Sequence, residues 1–95
     1  MRNTMTYDQR KLQDLVSVGP ATLKDFEVLG IHSVEQLKDC DARELYERLC
    51  LLTKARHDPC AEDVFAAAIA QAKDPNLPKE KRNWYYYSRI RKGVS

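Results

Sequence analysis

Apolar residues recur along this chain at helical spacing, and no run alternates as a half-buried strand would. Leu12, Leu15 and Val16 share one face of a first predicted helix from about Asp8 to Val16. A turn through Ser17, Val18 and Gly19 leads to a second helix from Pro20 to Leu29, which buries Leu23, Phe26 and Leu29 and stops at a left-handed Gly30 cap. Ser33 with Gln36 forms a capping box opening a short third helix that carries Val34 and Leu37. Asp41 with Glu44 repeats the signal for a fourth helix to about Thr53, with Leu45, Leu49 and Leu52 inward. Asp58-Pro59 starts a fifth, Ala-rich helix whose inner stripe is Val64, Phe65, Ala68, Ile69 and Ala72. After the break at Asp74-Pro75-Asn76-Leu77-Pro78, a last helix winds from Lys79 through the aromatic run. Trp84, Tyr87 and Ile90, at i, i+3 and i+6, are expected to dock on the bundle. The fold class is all-α, a compact bundle of five to six helices.

Ninety-five residues, 43% of them hydrophobic, suffice for one domain with a single core. The expected division is a flexible N-terminus over 1–7, a helical domain over 8–76, and a basic aromatic C-terminal helix and tail over 77–95. No stretch approaches a membrane span and no apolar signal segment opens the chain, so a cytoplasmic protein without a membrane partner is expected. Three cysteines, an odd number, are expected to be reduced thiols.

Charge is divided unevenly. Residues 79–95 carry six basic side chains against Glu80 alone, while the remaining residues carry ten basic and thirteen acidic ones. A basic end on a mildly acidic body is a pattern for anion binding. Tyr85 and Tyr86 lie off the expected docking stripe and are free for an interface, where aromatic rings stack on bases.

The turn at Leu15-Val16-Ser17-Val18-Gly19-Pro20-Ala21 holds the sharpest chemistry. Gly19 supplies a permissive backbone, and Pro20 suits a first helical turn because its missing N–H costs nothing there. The amides of Ala21 and Thr22 are then left as donors at a helix N-terminus, which favours an anion such as phosphate. With the Leu29-Gly30-Ile31 ending, this pattern resembles the hairpin of the helix-hairpin-helix family, which binds the nucleic-acid backbone without reading bases. That family usually has apolar-Gly-apolar-Gly in the hairpin and often a cation at the position of Ala21. Here Ser17 occupies the first glycine position, able to turn the chain through its hydroxyl, and Lys24 is the nearest cation of the second helix. The resemblance implies weak, sequence-independent binding of the DNA backbone. The candidate contacts are Ser17, Gly19, Ala21, Thr22 and Lys24, assisted by Arg89, Arg91 and Lys92.

Leu49-Cys50 and His57-Asp58-Pro59-Cys60 form the remaining motif. With the tryptophan-containing C-terminal stretch, the chain resembles the short helix-hairpin-helix proteins of the pathogenicity-locus family over roughly residues 10 to 87. The hairpin half is also similar to the C-terminal domain of TfoX-type competence regulators. The resemblance implies the fold and a DNA-related role, without an enzyme activity or a cofactor. A protein-interaction module is the alternative, because sterile-alpha-motif-like domains use the same five-helix topology. Redox or zinc chemistry ranks third. His57-x-x-Cys60 is the only close ligand pair, so no metal site is expected; zinc would have to take Cys50, His57 and Cys60 with Cys40 or His32. Cys60, in a first helical turn near Arg56 and His57, has surroundings that would favour a thiolate.

Overall fold

The computed structural model describes residues 9–93. The expectation for residues 1–7 lies outside them. Five α-helices follow one another: α1 (Pro20–Leu29), α2 (Val34–Leu37), α3 (Ala42–Thr53), α4 (Cys60–Lys73) and α5 (Trp84–Lys92), with single 3-10 turns at Leu12–Asp14 and Lys79–Arg82. Among the described residues there is no strand, and no helix is long and apolar enough to cross a membrane. The fold is all-α.

The caps read from the sequence are in place. Ser33 accepts from the Gln36 amide at 3.3 Å, and Asp41 from the Glu44 amide at 3.0 Å. Gly30 closes α1 at φ 78°. The Asp58 carboxylate accepts the Cys60 amide at 2.9 Å, where α4 begins. Each satisfies a helix-end amide or carbonyl that would otherwise lose its partner on folding.

The core centres on Phe26 of α1 and Phe65 of α4, whose rings lie 5.5 Å apart. Val34, Leu37, Leu45 and Leu49 close around them. α4 is the central element, packing against α2, α3 and α5, and it is accordingly buried on two sides. Phe65, Ala68, Ile69 and Ala72 face the main core, while Asp63, Ala67 and Gln71, spaced by four, lie on a second buried face.

Three expectations change. The first predicted helix is reduced to the 3-10 turn at Leu12–Asp14, with Leu12, Leu15 and Val18 buried and Val16 exposed. The physical reason is a competing partner: the Val16 amide donates to Gln71 Oε1 at 2.9 Å, and Gln71 Nε2 returns a bond to the Val16 carbonyl at 2.9 Å. Leu52 is 55% exposed rather than inward, at the end of α3 where the chain turns through a left-handed Lys54. The C-terminal helix begins only at Trp84, and its inner face differs from the expected stripe. Ser88 is its buried residue, Arg91 pairs with α4, Tyr87 is half-buried, and Ile90 points outward. Two steps of three residues lag a helix by about 120°, whereas a step of seven lags by only about 20°. Positions 84, 87, 88 and 91 therefore share this side of α5, with Trp84 at its exposed edge, and the two polar members hid it from a hydrophobic pattern.

Candidate functional site

Gly19 is the N-cap of α1 in extended conformation at φ −105°, and a side chain there would meet nothing within 4 Å. Glycine is therefore not demanded at 19, contrary to the sequence expectation. The left-handed residue of the turn is Ser17, at φ 75°, a conformation most side chains avoid. No side chain caps α1. Its first helical amide bond is that of Leu23 to the Gly19 carbonyl, at 2.9 Å. Because Pro20 has no amide hydrogen, Ala21 and Thr22 hold the outward donors of this helix end. Ala21 and Lys24 are exposed and Thr22 is half-buried. Lys24 shares a shallow groove of about 400 Å³ with Pro20, Glu27 and His32.

The Ser17 hydroxyl turns away from this opening. It donates to the Arg82 carbonyl at 3.3 Å and accepts the Trp84 amide at 3.0 Å. Ser17 thus holds the first amide of α5, the task of an N-cap side chain performed from another part of the chain. Gln71, 5% exposed, reinforces the junction by joining Val16 to α4 and reaching the Arg82 carbonyl at 3.4 Å. The consequence is that the hairpin turn and the basic segment 79–82 are fastened together. Lys79 and Lys81 of that segment are exposed, and the Arg82 guanidinium donates back to the Leu77 carbonyl at 2.6 Å. Both lysines belong to the basic end read from the sequence as anion-binding, whereas Gln71 was not singled out. A glutamine in step with Ala67, inside the otherwise apolar run from Val64 to Ala72, was the available signal.

The C-terminal cations divide. Arg91 is bound to Asp63 through two bonds, Nε–Oδ1 at 2.8 Å and Nη2–Oδ2 at 2.9 Å, and Asp63 is 2% exposed. The forked geometry satisfies a buried carboxylate and raises the Arg91 pKa through that bond. Arg91 is therefore a structural residue with little of its guanidinium left to offer. Arg89 and Lys92 are exposed, with the Arg89 guanidinium 5.8 Å from the centre of the Tyr85 ring. Trp84 is 36% exposed and Tyr85 50%, and their rings meet at 77°.

Cys40, Cys50 and Cys60 are free thiols, each half-buried. Among the described residues no group of three or more His, Cys, Asp or Glu is placed to hold a metal ion. The ring of His57 meets the Thr53 hydroxyl at 2.7 Å, and its carbonyl accepts from the Tyr46 hydroxyl. The Cys60 thiol is pushed up chiefly by its hydrogen bond to Asp58 and then by burial. The same contact, with the Cys60 amide first, holds Asp58 below its ordinary value. This runs against the expected activation of Cys60, because the Asp58 carboxylate beside it disfavours the thiolate. On α1, burial raises the Asp25 carboxyl, against the pull of His57 and Lys24.

On the outer side of α3, Leu51 is 77% exposed beside a shallow groove of about 590 Å³ bordered by Tyr46, Cys50, Lys54 and Arg56.

The chain belongs to the pathogenicity-locus family, whose model matches residues 6–93. It is similar to the mitomycin resistance protein McrB of Streptomyces lavendulae, with 40% identity over 85 residues, covering 90% of this chain and 77% of that protein. No solved structure matches.

Proposed function

We propose that this member of the pathogenicity-locus family binds the sugar–phosphate backbone of DNA, weakly and without reading sequence, using the turn before α1 in the manner of a helix-hairpin-helix motif. One observation carries the reading: the Ser17–Trp84 junction fastens the uncapped start of α1 to the basic segment 79–82. The stretch from Asp8 to Lys38 has four basic and five acidic side chains, a poor attractor for a polyanion by itself. Lys79 and Lys81 supply the cations that the hairpin lacks. The amides of Ala21 and Thr22 take a phosphate oxygen, Gly19 leaves room for its approach, and Lys24 adds a charge on the same helix. Ser17 acts by positioning the turn. Arg89 and Lys92 extend the basic surface along α5. Similarity to a relative named for mitomycin resistance is compatible with this role.

Few cations are involved, so the salt slope should be shallow and the dissociation constant roughly micromolar or weaker. The test is fluorescence anisotropy of a labelled duplex at low salt. Lys24→Glu and Lys81→Glu should each weaken binding and flatten the salt slope. If neither changes the affinity, or no binding appears at low salt, the reading fails. The exposed Leu51 and Leu52 of α3 favour a second reading, a protein-interaction module. Charge changes on α1 and segment 79–82 would leave such a partner's affinity intact, whereas Leu51→Glu would remove it.

A further inference from the structure

Backbone contacts leave the aromatic side of α5 unused. Trp84 and Tyr85 are 36% and 50% exposed, and Ile90 on the same helix is 59% exposed. The two rings meet nearly at right angles, at 77° and 6.1 Å between centres, forming an open corner. Beside it the Arg89 guanidinium lies 5.8 Å from the centre of the Tyr85 ring. Glu80 is the only acid from Lys79 to Gly93, so the stretch of chain that carries the corner is cationic. The corner also borders the start of α1. Trp84 is bonded to Ser17, and the two residues of chain from Ser17 to Gly19 span at most about 7 Å.

We infer that Trp84 and Tyr85 form a stacking platform for unpaired bases, and that the preferred ligand is a nucleic acid with a single-stranded stretch. This rests on the backbone reading above. Every base has a π-face that an aromatic ring or a guanidinium plane accepts, whatever the sequence. In a paired duplex those faces are covered by neighbouring base pairs, so the platform has nothing to hold. An exposed apolar ring alone would suit many partners. A ring corner among cations, next to helix amides that favour phosphate, suits a flexible polyanion that carries its own flat rings. Phosphates then lie along α1 and segment 79–82 while bases turn onto Trp84 and Tyr85.

Trp84 is the single tryptophan of the chain, so fluorescence excited at the red edge, where the five tyrosines do not absorb, reports this site alone. The whole protein is titrated at low salt with a short thymidine oligonucleotide and with a duplex of equal length. The expected result is quenching by the single strand and roughly tenfold tighter binding than to duplex. Tyr85→Ala should remove roughly tenfold of the single-strand affinity and leave duplex affinity and thermal stability unchanged. Equal or tighter duplex binding without quenching overturns the platform while the backbone reading stands. Absence of binding to either ligand overturns both. A concentration-dependent fluorescence shift without oligonucleotide assigns the rings to a second copy of the chain and also overturns the platform.

Discussion

The Ser17 hydroxyl accepts the Trp84 amide at 3.0 Å across 67 residues of sequence. A glycine would relieve the left-handed backbone at 17 but could not make this bond. Serine at this position therefore has a structural reason: it trades conformational ease for a tie between the turn and α5.

Ser17→Ala is expected to cost about 1–2 kcal/mol, because it keeps the unfavourable φ and loses the cap. Ser17→Gly should cost only a few tenths, since the relieved backbone offsets most of the lost bond. Thermal unfolding of the two variants checks the order, and a less stable Ser17→Gly would contradict it.

Gln71→Leu preserves volume but strands both the amide and the carbonyl of Val16. The expected loss is on the order of 2 kcal/mol, the usual penalty for buried polar groups left without partners. Amide hydrogen exchange should show the Val16 amide losing protection ahead of the core of α1.

Arg91→Ala should lower the melting temperature more than Arg89→Ala, because it leaves the carboxylate of Asp63 buried and unpaired. For DNA affinity the order should reverse: Arg89→Glu weakens binding, while Arg91→Lys acts mainly on stability.

Trp84→Ala should cost less than about 3 kcal/mol, below the range for a fully buried large aromatic, because Trp84 is 36% exposed. Chemical denaturation measures this, and a loss within that range would place the ring in the core.

The Asp58 carboxyl titrates below its ordinary value of 3.8, held down first by the Cys60 amide. Its folded pKa is depressed, so its contribution to stability is full above that value and lost as the pH falls through the folded pKa. Asp58→Asn should blunt the acid limb of a stability–pH profile. The same change removes the carboxylate that raises the Cys60 thiol, so alkylation of Cys60 at neutral pH, followed by peptide mass mapping, should speed up.

The starts of α1, α2, α3 and α4 were legible because a proline, Ser33, Asp41 and Asp58 are local signals whose partners lie within three residues. What stayed hidden depends on distant polar groups. The helix expected before Ser17 gave way to Gln71, 55 residues away, and the register of α5 was set by Ser88 and by Arg91 reaching Asp63. Hydrophobic periodicity carries no record of a buried polar partner. The outward donors of α1 were readable from Gly19-Pro20 and the basic end from its charge, whereas the tie between the two came into view only through the fold.

Both ends of α4 are held by arginines from opposite ends of the described chain. Arg91 grips Asp63 in its first turn, and Arg10 donates to the carbonyls of Gln71 and Ala72 in its last, at 2.8 and 3.2 Å. A minimal folded fragment cannot then be cut from the turn and α1 alone. A chain that stops before Arg91 strands a buried charge, and one that starts after Arg10 bares the end of the central helix. Fusion partners and affinity tags belong outside these two residues. Within them, the unit should be transplantable only as a whole.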